Sequence, residues 1–229
     1  MTEKINEYFT QGLVVPAFQA ERNVLIWQYI AEEIEYLKSL EKHQQNLYSF
    51  IQYAAQTNFV LALGKLFDRP SKKFPTRCIL SFLELLQDPH LKAVPIIETT
   101  ITKKLLSQQN CPLDLIESVE KNNSKEFPIL FSKHYIEKYN DPVLLEEIEK
   151  MKIMRDKAEA HNEAIDRCFL EFTTTGKLLE FTLDIISVFG MAYHSTGWKN
   201  EDYSLLRANA ERDASFIKLS ILDLKRGGQ

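Results

Sequence analysis

The chain has 229 residues, is 45% hydrophobic, and carries 28 Lys and Arg against 32 Asp and Glu, a formal net charge of −4. That length and apolar share are enough to bury a sizeable core, and the mild acidity excludes a general nucleic-acid coat while leaving room for local basic patches. No run approaches the ~20 apolar residues of a membrane-spanning helix, and only seven Gly and eight Pro interrupt long stretches rich in Leu, Ile, Glu and Lys.

Helical periodicity recurs along the chain and strand alternation is hard to find. The spacing predicts a first helix over about Ala20 to Leu40, with Val24, Trp27, Ile30, Ile34 and Leu37 three or four residues apart. A second runs from about Asn46 to Phe67, with Phe50, Tyr53, Ala54, Thr57, Val60 and Leu61 on one side, and Pro70 limits it. From Ala93 to Asn140, Pro95, Pro112, Pro128 and Pro142 divide the chain into short helices. A third long helix is expected from Pro142 to Phe172, its proline suited to the first turn, with Thr173-Thr174-Thr175-Gly176 breaking it. The stretch from Leu178 to Tyr193 is apolar nearly all round, which predicts a central, buried helix. A last helix spans about Leu205 to Lys225 and ends at Gly227-Gly228. The expected architecture is one all-α domain over 1–229. Its core bundle falls at about 20–70 and 142–225, with a short-helix insertion at about 90–141.

The third helix holds the most informative tract, Arg155-Asp156-Lys157-Ala158-Glu159-Ala160-His161-Asn162. Leu144, Ile148, Met151, Arg155, Ala158, Asn162, Ile165 and Phe169 follow alternating spacings of four and three, the pattern of a buried seam. Arg155 and Asn162 therefore fall within an apolar face, where a charge and an amide need partners. On an ideal helix Arg155 and His161 lie roughly 120° and ~9 Å apart, flanking the line of Ala158. Their tips can converge on a ligand across that face or meet counterparts from a second subunit. A guanidinium grips phosphate through parallel hydrogen bonds and an imidazole titrates near neutrality, so the pair suits RNA cleavage without a metal. A buried salt bridge with a satisfied core histidine is the plainer reading of the same residues.

Arg155-Asp156-Lys157 followed by Ala160-His161-Asn162 resembles the motif of HEPN domains, particularly the subgroup named after phage abortive-infection proteins. That motif is an arginine, commonly a polar residue next, and a histidine after four to six positions; five intervene here. The tract Leu63-Gly64-Lys65-Leu66-Phe67-Asp68-Arg69 resembles the same subgroup. The resemblance implies an up-and-down helical bundle that forms a homodimer, with both motifs lining one cleft. It also implies a metal-independent endoribonuclease of a phage-defence or toxin–antitoxin system, or a member that only binds. By that resemblance Arg155 and His161 are the catalytic pair and Asp156 is the polar position, RNA is the substrate, and an antitoxin protein is a partner. Geometry favours Asn162 as the orienting residue and resemblance favours Asp156. Some HEPN toxins carry a modifiable tyrosine two residues after the histidine, where this chain has Glu163, so that route of regulation is not expected.

The remaining signals are weaker. Lys65, Arg69, Lys72, Lys73 and Arg77, interleaved with Phe67 and Phe74, form the one marked basic cluster. It reads as an RNA-backbone contact or as a solvated turn. His43, His90, His134 and His194 show no metal-ligand spacing, and there is no glycine-rich phosphate loop, so no metal or cofactor is expected. His194 is expected to cap or pack, and Trp27 and Trp198 to pack. Cys78, Cys111 and Cys168 are far apart and read as reduced structural thiols. With a polar start at Met1–Asn6 that lacks an apolar signal core, the expected location is the cytoplasm. A non-catalytic RNA- or nucleotide-binding module and a structural dimeric helical protein stand as the alternatives.

Overall fold

The computed structural model describes residues 3–70, 76–160, 172–196 and 205–227. All regular elements among them are helical. The first is α1 (Glu3–Glu7), which passes through π-helical turns at Tyr8–Val14 into α2 (Val15–Glu32) without leaving helical backbone angles at Glu7 or Val14. The Val15 N–H bonds to the Thr10 carbonyl, five residues back. Pro16 explains the wider turn, since its ring would collide with the Gly12 carbonyl in a regular α-helix. Gly12 also permits a close crossing, because a Cβ there would stand 2.8 Å from both Cβ and O of Arg77.

α2 yields at Glu33 to the short α3 (Ile34–Lys38), and the chain reverses into α4 (Lys42–Phe67). A capping box opens α4: the Glu41 side chain accepts from the Gln44 N–H, and the Glu41 N–H donates to Gln44 Oε1 at 3.3 Å. Asp68 closes the helix with an extended ψ of 151°, ahead of Pro70. Then follow α5 (Ile79–Leu85), α6 (Thr99–Gln108), α7 (Leu113–Glu120), α8 (Glu126–Tyr139), α9 (Pro142–Ala160), α10 (Phe172–His194) and α11 (Leu205–Gly227). α6 and α7 end alike. Asn110 and Asn122 take φ of 54° and 47°, and the next N–H returns to the Leu106 and Ser118 carbonyls respectively, so an asparagine supplies the left-handed stop.

Two apolar clusters hold these helices. The larger joins the start of α1–α2 (Ile5, Phe9, Leu13, Ala17), the end of α4 (Phe59, Leu63, Leu66, Phe67) and α5 to α10. Phe189 of α10 sits at its centre, with ring centroids 4.9 Å from Phe9, Phe82 and Tyr193 and 6.0 Å from Phe131. The smaller joins the far halves of α2 (Leu25, Ile26, Ile30) and α4 (Tyr48, Ala55) with α11 (Ala210, Ala214, Ile217, Ile221). Ion pairs of Arg207 with Glu21 and Lys225 with Glu33 tie α11 to the α2–α3 arm at two levels. Helices α6 to α8 thus contribute Leu106, Val119, Phe131 and Tyr135 to the main core rather than lying outside it.

Several sequence expectations need correction. Thr173-Thr174-Thr175-Gly176 does not break the chain, since all four lie in α10. Pro128 does not divide a helix either; it occupies the first turn of α8, where its missing N–H has no intrahelical partner to lose. Phe50 and Tyr53 face away from the core, Phe50 with 69% exposure. Helices α1 and α5 were not anticipated, and the first long helix begins well before Ala20.

Phe189→Ala, removing a ring 1% exposed, should destabilise the fold by about 3–5 kcal/mol, whereas Phe50→Ala should change stability by less than ~1 kcal/mol. Urea unfolding of both variants checks the assignment of core and surface.

Candidate functional site

The Leu144, Ile148, Met151, Arg155 seam of α9 meets the last turns of α4, and it does so at a glycine. A Cβ at Gly64 would stand 2.8 Å from Cδ of Arg155, so the arginine stem lies directly against the α4 backbone. This crossing delivers the guanidinium to Asp68, at the C-terminus of α4, where one of its terminal nitrogens donates to Oδ1. Asp156 completes the grip, with Oδ1 accepting from Nε at 3.2 Å and from the other terminal nitrogen at 3.1 Å. Arg155 keeps 23% of its side-chain surface exposed. Burial works against its charge, but the hydrogen bonds and charges of Asp68 and Asp156 outweigh that and hold it above the usual arginine range.

The guanidinium forms one wall of a groove of about 610 Å³ between α2, α4 and α9. Gln19, Arg22 and Asn23 line it from α2, and Asn58, Leu61, Ala62 and Lys65 from α4, with Asp68 at its end. Asn23 is fixed by donating from Nδ2 to the Gln19 carbonyl at 2.6 Å. Arg22 lies over the Phe18 ring, 5.7 Å from its centroid, and its buried Nε has no hydrogen-bond partner among the described residues.

Of the residues singled out in the sequence, Arg155 and Asp156 are joined directly, and Asp156 reaches back along the helix surface to do so. His161 and Asn162 lie outside the described residues, as do Glu163, Lys72, Lys73, Cys168, Trp198 and the Ile165–Phe169 end of the expected seam. The described members of the basic cluster, Lys65, Arg69 and Arg77, do not converge. Lys65 faces the Arg155 groove, Arg69 lines a separate hollow with Tyr139 and Lys152, and Arg77 is paired with Glu7. Sequence reasoning missed Asp68, Gly64, Arg22 and Asn58 as parts of the site. Gly64 and Asp68 did sit in the Leu63–Arg69 tract, four residues apart at a helix end, but nothing local says what crosses there.

Among the described residues, the other titratable groups do not form a second reactive centre. Cys111 Sγ lies 3.4 Å from His134 Nε2, yet burial pushes the thiol up to about 11 and, with Lys138 nearby, brings the imidazole down to about 4. The pair is a neutral thiol beside a neutral ring, not an activated nucleophile. His194 stacks on Phe9 at 5.1 Å, and burial lowers its titration as well. Trp27 packs against the smaller core. Among the described residues no group of three or more His, Cys, Asp or Glu is placed to hold a metal, and no helix is long and apolar enough to cross a membrane.

Gly64→Ala should shift the Arg155 Nε–H resonance, assigned through Arg155→Lys, because the new methyl displaces the stem. The helix-propensity gain of about 1 kcal/mol keeps the variant folded, and an unchanged resonance would contradict the crossing. His134 and His194 titrate lower when folded than unfolded, so between pH 6.5 and about 4 the unfolded chain binds more protons. Stability should therefore fall as pH drops through that window, and His134→Gln should flatten part of the fall in thermal melts.

Comparison with curated proteins and with solved structures gave no match. The family model for AbiU2 proteins, of HEPN type, matches residues 4–217, which reaches from α1 through the whole Arg155 groove into α11. A match of that extent is decisive: the chain belongs to the HEPN AbiU2 family, and its all-α bundle is a HEPN-like one.

Proposed function

We propose that the chain is a metal-independent endoribonuclease of phage defence or of a toxin–antitoxin system, acting in the cytoplasm as a homodimer. The observation that carries this reading is the Arg155 guanidinium, oriented by two carboxylates on the wall of an open polar groove, six residues before His161. His161 takes the proton from a ribose 2′-hydroxyl as that oxygen attacks phosphorus. The 5′-oxygen leaves and is protonated, so the products are a 2′,3′-cyclic phosphate and a 5′-hydroxyl. Arg155 stabilises the charge that builds on the non-bridging oxygens, for which its planar fork suits phosphate. Asp68 and Asp156 are positioning residues that set the fork before substrate arrives. Asn162 is the candidate to orient His161. RNA is the substrate, and on the toxin–antitoxin reading a protein antitoxin is the partner.

A second reading keeps the RNA and drops the chemistry. Two carboxylates against one guanidinium leave the immediate contact negative, which weakens Arg155 as a charge stabiliser while the wider groove stays basic. A binding module of the same fold would show that balance.

Purified protein incubated with total cellular RNA in EDTA decides between them. The nuclease reading predicts discrete fragments from the wild type and a loss of at least ~100-fold in Arg155→Ala and in His161→Ala. Retention of RNA with no cleavage by any folded protein would favour the binding module. Equal cleavage by all three would remove the pair from the chemistry.

A further inference from the structure

The groove extends well beyond Arg155, and its composition is not that of a surface hollow. Its lining holds three cations, Arg22, Lys65 and Arg155, against one carboxylate, Asp68, which is already paired with Arg155. Neither Arg22 nor Lys65 has a carboxylate partner among the described residues. Glu21, beside Arg22, is engaged instead with Arg207 at 3.7 Å. Arg22 lies over the Phe18 ring, and its buried Nε has no hydrogen-bond partner among the described residues. Asn58 and Gln19 add side-chain amides to the same lining. A volume of about 610 Å³ lies within the ~300–1,000 Å³ of small-ligand sites.

We infer that this groove is a subsite for a single-stranded RNA segment next to the bond at Arg155. Arg22 and Lys65 contact backbone phosphates, and Asn58 and Gln19 meet a base edge. Free cations supply affinity without sequence information, whereas amides carry paired donors and acceptors that can read a base. The inference rests on the endoribonuclease reading only in taking RNA as the ligand. It assigns residues on α2 and the second half of α4 that the Arg–His motif does not include.

The test is fluorescence anisotropy with a fluorescein-labelled, 2′-O-methylated single strand of about ten nucleotides, which has no free 2′-hydroxyl to cleave. Lys65→Gln and Arg22→Gln should each weaken binding by about 5- to 10-fold and lower the slope of log K against log salt by ~1. Arg22→Lys should retain the slope. Lys152→Gln, in the separate hollow beside Arg69, should bind as wild type. Lys65 is exposed, so its variant keeps the test interpretable if Arg22→Gln fails to fold. Wild-type affinity and slope in both Gln variants, or no binding by the wild type, would overturn the subsite. The two readings separate cleanly: a protein that cleaves RNA while its groove variants bind normally keeps the nuclease and loses the subsite. A protein that cleaves nothing while those variants lose affinity does the reverse.

Discussion

One crossing organises this molecule: the stem of Arg155 passing over Gly64 to reach Asp68. A long cationic side chain leaving the apolar seam of α9 needs both a path and a counter-charge. The missing Cβ at Gly64 supplies the path, and the last residue before the chain turns away from α4 supplies the charge. Asp68 follows Gly64 by four residues, so its carboxylate stands on the face of α4 that admits the Arg155 stem. The groove beside it lies where α2 and α9 both pack on α4.

The rest of the architecture keeps that crossing in register. The α2–α4 hairpin is gripped at one end by the aromatic cluster around Phe189 and at the other by α11, so two separate cores fix the two halves of the same helix pair. The Arg155 end belongs to the larger core, in which α10 is buried and α8 contributes Phe131 and Tyr135. The opposite arm presents Leu47, Phe50, Phe216 and Leu219 to solvent. The polar groove thus lies beside a stiff interior, as a site that must hold a guanidinium in one orientation requires.

The sequence made some of this legible and concealed the rest for physical reasons. The three-and-four spacing of Leu144, Ile148, Met151 and Arg155 foretold the seam of α9, and the nearly all-apolar α10 foretold its burial. The Phe50 and Tyr53 assignment failed because α4 has apolar residues on more than one side, and periodicity alone does not choose among them. Thr173–Gly176 looked like a break because threonine and glycine are poor helix formers, and propensity is only a weak prior. The start of the chain was missed because a π-helical turn around Pro16 disrupts the 3.6-residue period. Asp68 and Gly64 were hidden by distance. Asp68 and Arg155 are 87 residues apart, and no local pattern announces a pair that the fold alone brings together.

The central proposal is that the chain performs transesterification with Arg155 and His161. End-group analysis of RNA cut in EDTA tests it most directly. The account predicts 2′,3′-cyclic phosphate and 5′-hydroxyl termini, formed without added metal. Fragments bearing 3′-hydroxyl and 5′-phosphate ends, or cleavage that appears only with a divalent cation, would contradict it.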